Sequence, residues 1–214
     1  MTQQSWLGLG AVVLTTAACN AAAAPRSPQG WSPPSAGGNP RPGDALVTRT
    51  ISWDVPVYRA RYVREFLATD LKTFLPGTKK IPAVDHTEPL TEAQYPAVGS
   101  VRRVVLADGH TAEEEVLEQD IAHLRYLVCR YTTPAAAPVA YAVGEFRFDE
   151  TSPASTHITW TYSFKLRDDA FPGSWGFLGR SFFRVGFVNS DYADFMDAGR
   201  TAMLAWAATL RTTE

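Results

Sequence analysis

Residues 156–166, THITWTYSFKL, alternate without a break between oily and polar side chains. Thr156, Ile158, Trp160, Tyr162 and Phe164 fall on one set of positions, and His157, Thr159, Thr161, Ser163 and Lys165 on the other. Successive side chains of a strand point to opposite faces, so this segment predicts a strand with one apolar and one wet face. A sheet with one apolar face needs a cover. The chain holds one large amphipathic candidate, SDYADFMDAGRTAMLAWAATLR, in which Tyr192, Phe195, Met196, Gly199, Met203, Trp206 and Leu210 make a single stripe. Asn189 or Ser190 is placed to cap that helix.

Upstream, ALVTRTISWDV reads as a first strand, with Val47, Ile51 and Trp53 on one face. Pro56 suits the first turn of a helix in which Tyr58, Tyr62, Val63, Phe66 and Leu67 recur at helical spacing, ending at or before Pro76-Gly77. Residues 78–98 are proline-rich and show no period, which predicts a long loop with at most a turn of helix. Between Gly99 and Arg167 five strand-like runs are separated by short turn signals, the pattern of an antiparallel meander. The predicted class is therefore α+β, a curved antiparallel sheet wrapped around a long C-terminal helix, with space left where a curved layer meets a straight one.

The ends behave differently. WLGLGAVVLTTAACNAAAA is an apolar run of signal-peptide length, so residues 1–23 are expected to be an export signal. TTAAC resembles a lipobox, in which Cys19 would be lipidated and tether the protein to a membrane; the rival is cleavage among Ala21 to Ala24 and release as a secreted or periplasmic protein. Residues 24–44 hold six of the fifteen prolines and four of the fifteen glycines and are expected to be a spacer, leaving residues 45–214 as one folded domain. Cys19 and Cys129 lie in regions of such different character that no disulfide is expected. A net charge of −2 and the lack of a basic run argue against nucleic acid.

Several strings in this order resemble the SRPBCC superfamily, in particular its polyketide cyclase/dehydrase and lipid-transport-like group: GSVRRVVLADG, EEVLEQD, Tyr126, Pro138, Tyr141, THITW and Phe164. The resemblance runs over residues 46–210 and implies the helix-grip fold with a ligand cavity, and no universal catalytic residue. The spacing in THITW and the length of the 76–99 loop depart from the group's pattern.

In LADGH, a three-residue loop Ala107-Asp108-Gly109 with Gly109 left-handed would set Leu106 opposite His110, Val104 opposite Ala112 and Arg102 opposite Glu114. That register puts the Arg102–Glu114 pair on the oilier face, either as a polar anchor for a ligand or as a plain cross-strand ion pair. No metal-ligand spacing, nucleophile elbow, phosphate loop or dinucleotide fingerprint occurs, so no cofactor and no metal are expected. His86, flanked by Asp85 and Glu88, reads as part of a solvated segment, and Cys129 as a small buried hydrophobe. The segment FPGSWGFLGRSFFRVGFV, 171–188, is rich in aromatics and reads either as a lid or membrane-touching rim or as a plug for one end of the core.

These observations favour a non-catalytic binding protein for a hydrophobic or amphipathic small molecule or lipid. Tyr126, Tyr141, Phe146, Trp160, Tyr162 and Phe164 are the expected walls, and Arg102 and Glu114 the polar anchors. The alternatives are a cyclase/dehydratase-like enzyme moving a proton with a cavity acid or base, and an envelope scaffold with a filled core.

Overall fold

The computed structural model describes residues 43–210. The expected export signal, Cys19 and nearly all of the spacer lie outside the described residues.

Seven antiparallel strands form one open sheet in the order β1-β7-β6-β5-β4-β3-β2. The strands are β1 (Leu46–Val55), β2 (Val84–Pro89), β3 (Val101–Leu106), β4 (Thr111–Gln119), β5 (His123–Cys129), β6 (Val139–Ser152) and β7 (Ser155–Leu166). Helix α1 (Arg59–Ala68) follows β1, α2 (Gly176–Phe183) follows β7 and runs into a π-helical turn, Arg184–Val188, and α3 (Asp191–Leu210) ends the described chain. This is the helix-grip arrangement expected from the order of elements in the sequence. Ile158, Trp160, Tyr162 and Phe164 are all buried on the inner face.

On the outer face of the β1–β7 pair, hydroxyls bond across the strands: Thr48 to Ser163 at 2.9 Å and Thr50 to Thr161 at 3.0 Å. Thr156 ties the sheet to the segment before α1, its buried hydroxyl donating to the Val57 carbonyl at 2.8 Å.

Helix α3 lies close against the sheet at Gly199. A Cβ there would lie 3.2 Å from the Phe74 carbonyl oxygen and 3.2 Å from the Trp160 ring. Towards its C-terminal half the space is filled by aromatics from α1 and the turn after it. Trp206 lies edge-on to Tyr62 at 5.4 Å and to Phe74 at 5.0 Å, and Phe66 stacks on Phe74 at 4.9 Å.

Three elements differ from the sequence reading. Helix α1 begins only at Arg59, so Pro56 precedes it and does not sit in its first turn; it stops at Ala68, inside the expected limit, where the Thr69 hydroxyl turns back to the Glu65 carbonyl at 2.7 Å while its own backbone is extended. A single 3₁₀ turn, Leu71–Thr73, follows. The expected 78–98 loop contains β2. It is an edge strand buried only at Val84, so no face offered a hydrophobic period, and Pro89 is tolerated because the edge needs no donor there. Ser190 does not cap α3; its hydroxyl donates backward to the Gly186 carbonyl at 2.7 Å, since the chain is already helical when it reaches α3.

Replacing Gly199 with leucine would overpack this contact. We expect Gly199→Leu to lower stability by about 2 kcal/mol in urea unfolding; a variant as stable as the wild type would contradict the close approach of helix to sheet.

Candidate functional site

The hairpin between β3 and β4 turns through Ala107, Asp108 and Gly109. Gly109 is left-handed at φ 85°, and its N–H donates to the Leu106 carbonyl at 2.9 Å. The Leu106 N–H donates to the His110 carbonyl at 2.8 Å, and the Asp108 carboxylate accepts the His110 N–H at 3.1 Å. This turn fixes the register: Arg102 pairs with Glu114 and Val104 with Ala112. All four side chains point inward.

The charged pair is desolvated. The Arg102 and Glu114 side chains are 10% and 6% exposed, and the guanidinium donates to one Glu114 oxygen through Nε at 2.9 Å and Nη2 at 2.5 Å. The Tyr95 ring covers the guanidinium at 3.7 Å. Burial alone would draw the guanidinium's pKa down, but the adjoining carboxylate outweighs it and the net shift is upward. Burial pushes the Tyr95 phenol up to about 12, with Arg102 opposing that rise.

Beyond this pair the layers separate around a cavity of about 200 Å³. Its sheet wall is Tyr126 and Val128 from β5, Phe146 from β6, and Trp160, Tyr162 and Phe164 from β7, together with the hairpin residues. Its roof is Phe187, Tyr192 and Phe195, from the π-helical turn and the start of α3. Lys80, Thr111 and Thr133 supply polar lining, and Lys80 also faces Asp191 at 3.8 Å.

Tyr126 owes its position to Gly144, directly across the β5–β6 ladder. Any Cβ at Gly144 would overlap the Tyr126 ring. Burial raises the phenols of Tyr126, Tyr131, Tyr162 and Tyr192 far above their ordinary range. The Trp160 indole N–H and the Tyr131 hydroxyl are sealed behind the lining rather than turned into the cavity, with the Tyr126 hydroxyl beside the first and the Tyr162 hydroxyl beside the second.

Of the residues expected from sequence, the structure brings Arg102, Glu114, Tyr126, Phe146, Trp160, Tyr162 and Phe164 together on one cavity. Tyr141 is a correction. It sits on the opposite face of the sheet, in a small cluster with Leu127, Cys129 and Val143, and its hydroxyl donates to Asp44. Strand parity explains it, because Phe146 and Phe148 face inward and the odd positions from Tyr141 to Arg147 face out, whereas Val139, beyond a bulge, faces inward again. Cys129 is buried in that outer cluster, where burial raises its thiol to about 11. Sequence reasoning missed Tyr95, Tyr131, Tyr192 and Phe195 as lining. Tyr95 was visible as the one aromatic side chain in 78–98, but nothing there placed it in space.

No known protein family matches the sequence, and no curated protein matches it. Solved structures do match the fold. Norcoclaurine synthase from Thalictrum flavum, in complex with dopamine and hydroxybenzaldehyde, aligns at TM-score 0.55 and 13% identity over 80% of this chain and 90% of that one. The Zhui aromatase/cyclase from Streptomyces sp. R1128 aligns at 0.54 and 19% over 77% and 94%. Ara h 8.0201 aligns at 0.53 and 14% over 77% and 99%. At such identities the likeness is one of fold.

Two outcomes test the site's electrostatics. Glu114→Ala strands a buried guanidinium and should cost about 3–5 kcal/mol, whereas Arg102→Met with Glu114→Leu should cost far less; equal losses would mean that the pair is not desolvated. The raised phenols predict alkaline instability, since the folded state holds protons that the unfolded state has released. Stability should be complete below pH 10 and fall as the pH rises towards about 12, the value for Tyr95. Absorbance should report phenolate formation coincident with unfolding; independent titration in a folded protein would contradict the burial.

Proposed function

We propose that this chain, which has the helix-grip fold of the SRPBCC superfamily, is a binding protein for one small amphipathic molecule. The observation that carries the reading is a largely apolar cavity between sheet and α3, with the Arg102–Glu114 ion pair, Lys80, Thr111 and Thr133 on its wall. A cavity of about 200 Å³ exceeds the ~150 Å³ that holds a benzene and lies below the ~300 Å³ where drug-sized pockets begin. That range suits a ligand of one or two rings, or a short chain, with a polar group to meet Lys80, Thr111 or Thr133. The named ligands of the Thalictrum synthase are small aromatic molecules, which supports this class.

A proton-transfer role fits less well. A general acid or base works best with a pKa near the working pH. Here the lining phenols are driven upward, no histidine is among the lining residues, and Glu114, the lining carboxylate, is engaged in its ion pair with Arg102. For location, we propose export directed by residues 1–23, with tethering through Cys19, on the strength of the sequence alone.

Mass spectrometry of organic extracts from the purified protein tests the binding role. A roughly stoichiometric small molecule in the wild type that is lost when Ala112→Trp fills the cavity is the expected result. Binding of a hydrophobic fluorescent probe to the wild type, weakened at least tenfold in Ala112→Trp, is the second readout. A wild type that neither carries a molecule nor takes up the probe would point to a closed core. Intact mass of the wild type and of Cys19→Ala tests the tether, since lipidation should add acyl mass only to the wild type.

A further inference from the structure

The segment from Phe171 to Val188 has two faces that do opposite things. Inward, Phe183 and Phe187 pack edge-on against Phe164 at 5.5 and 5.8 Å, and Phe187 roofs the cavity. Outward, Phe177, Leu178, Phe182 and Val185 are 72%, 63%, 65% and 71% exposed, with Phe171 and Trp175 beside them in the preceding turn. The inner face is thus a plug for one end of the core, and the outer face is left bare. A lone exposed apolar residue means little, but six within fifteen residues mark a contact surface.

This surface is held in place. Gly179 packs on the Pro172 carbonyl and Gly173 on the Arg167 backbone, approaches that leave no room for a side chain. On a helix of 3.6 residues per turn, Phe177, Leu178, Phe182 and Val185 share one side. Arg180 and Arg184, one turn apart, run along its border. Neither arginine has an ion-pair partner among the described residues, and Arg184 reaches only the Thr48 carbonyl at 3.5 Å. By contrast Arg103, Arg125, Arg130 and Arg200 meet carboxylates at 2.8–3.1 Å.

We propose that the exposed face of α2 docks on an anionic lipid bilayer. Aromatic and aliphatic side chains would enter the interface while Arg180 and Arg184 meet phosphate headgroups. Among the described residues no helix is long and apolar enough to cross a membrane, so the contact proposed lies in the interfacial plane. The chain enters the fold at the same edge of the sheet. Leu46 pairs with Lys165, the neighbour of Leu166, on which Gly173 packs. The docking face does not depend on what the cavity holds.

The test is co-sedimentation of the full chain with phosphatidylcholine vesicles, with and without phosphatidylglycerol. We expect binding that phosphatidylglycerol strengthens. Phe177→Ser with Phe182→Ser should weaken it at least tenfold, and Arg180→Gln with Arg184→Gln roughly fivefold for each arginine, only on the anionic vesicles. Phe177, Phe182 and Arg184 are exposed and Arg180 is half-buried without an ion-pair partner among the described residues, so the variants should keep the wild-type Tm. Wild-type protein that does not bind, or binds without regard to phosphatidylglycerol, would overturn the proposal. So would binding unchanged in both variants, which would assign it to the leader. A wild-type dimer that Phe177→Ser with Phe182→Ser dissociates, without vesicle binding, would make the face a self-interface instead.

Discussion

The contact between α3 and the sheet at Gly199 sets the spacing on which the rest of the interior depends. With no side chain there, the helix comes down onto the Trp160 ring, and the gap between layers is decided at that point. On one side of it the gap is filled by Tyr62, Phe66 and Phe74, delivered by α1 and the turn that follows. On the other side the same two layers separate around the cavity, whose lining runs from Phe66, Leu71 and Leu75 at the filled end to Phe187, Tyr192 and Phe195. The solid core and the binding site are thus two ends of one helix–sheet interface.

That division explains what was legible in the sequence. The inner face of β7 could be read from strict alternation, the stripe of α3 from its helical period, and the Arg102–Glu114 register from the chemistry of one turn. Each is a local rule with a strong periodic or steric signal. β2 escaped because an edge strand buried at one residue has no period to show. The end of α1 could be bounded by Pro76-Gly77 but not placed, because it is set by the Thr69 hydroxyl competing for a backbone carbonyl, and the Ser190 cap failed because the preceding turn was already helical. Resemblance puts Tyr141 on the cavity wall, whereas parity, read from Phe146 and Phe148, puts it on the other face. The depth of the cavity was not legible at all, since it depends on how Tyr95, Tyr192 and Phe195 converge from distant segments.

The polar groups of the cavity are of two kinds. Arg102 and Glu114 satisfy one another, and Tyr95 shields them, so they are costly to disturb and present a fixed dipole. Lys80, Thr111 and Thr133 are the polar groups that the lining adds outside that pair. A purely hydrocarbon guest would fill the space and meet none of them. A guest with a polar group would gain twice, which makes polarity, together with hydrophobicity, the expected basis of selection.

Gly144 gives this selection an evolutionary handle. Because the Tyr126 ring lies across a residue with no side chain, the floor of the cavity is set by what β6 omits. A related chain with alanine or valine at that position would have to swing the ring inward, shrinking the chamber from below without altering a single residue that a ligand touches. Guest size in such relatives would then be tuned like a false bottom in a box, by a position that alignments of ligand-contacting residues would overlook.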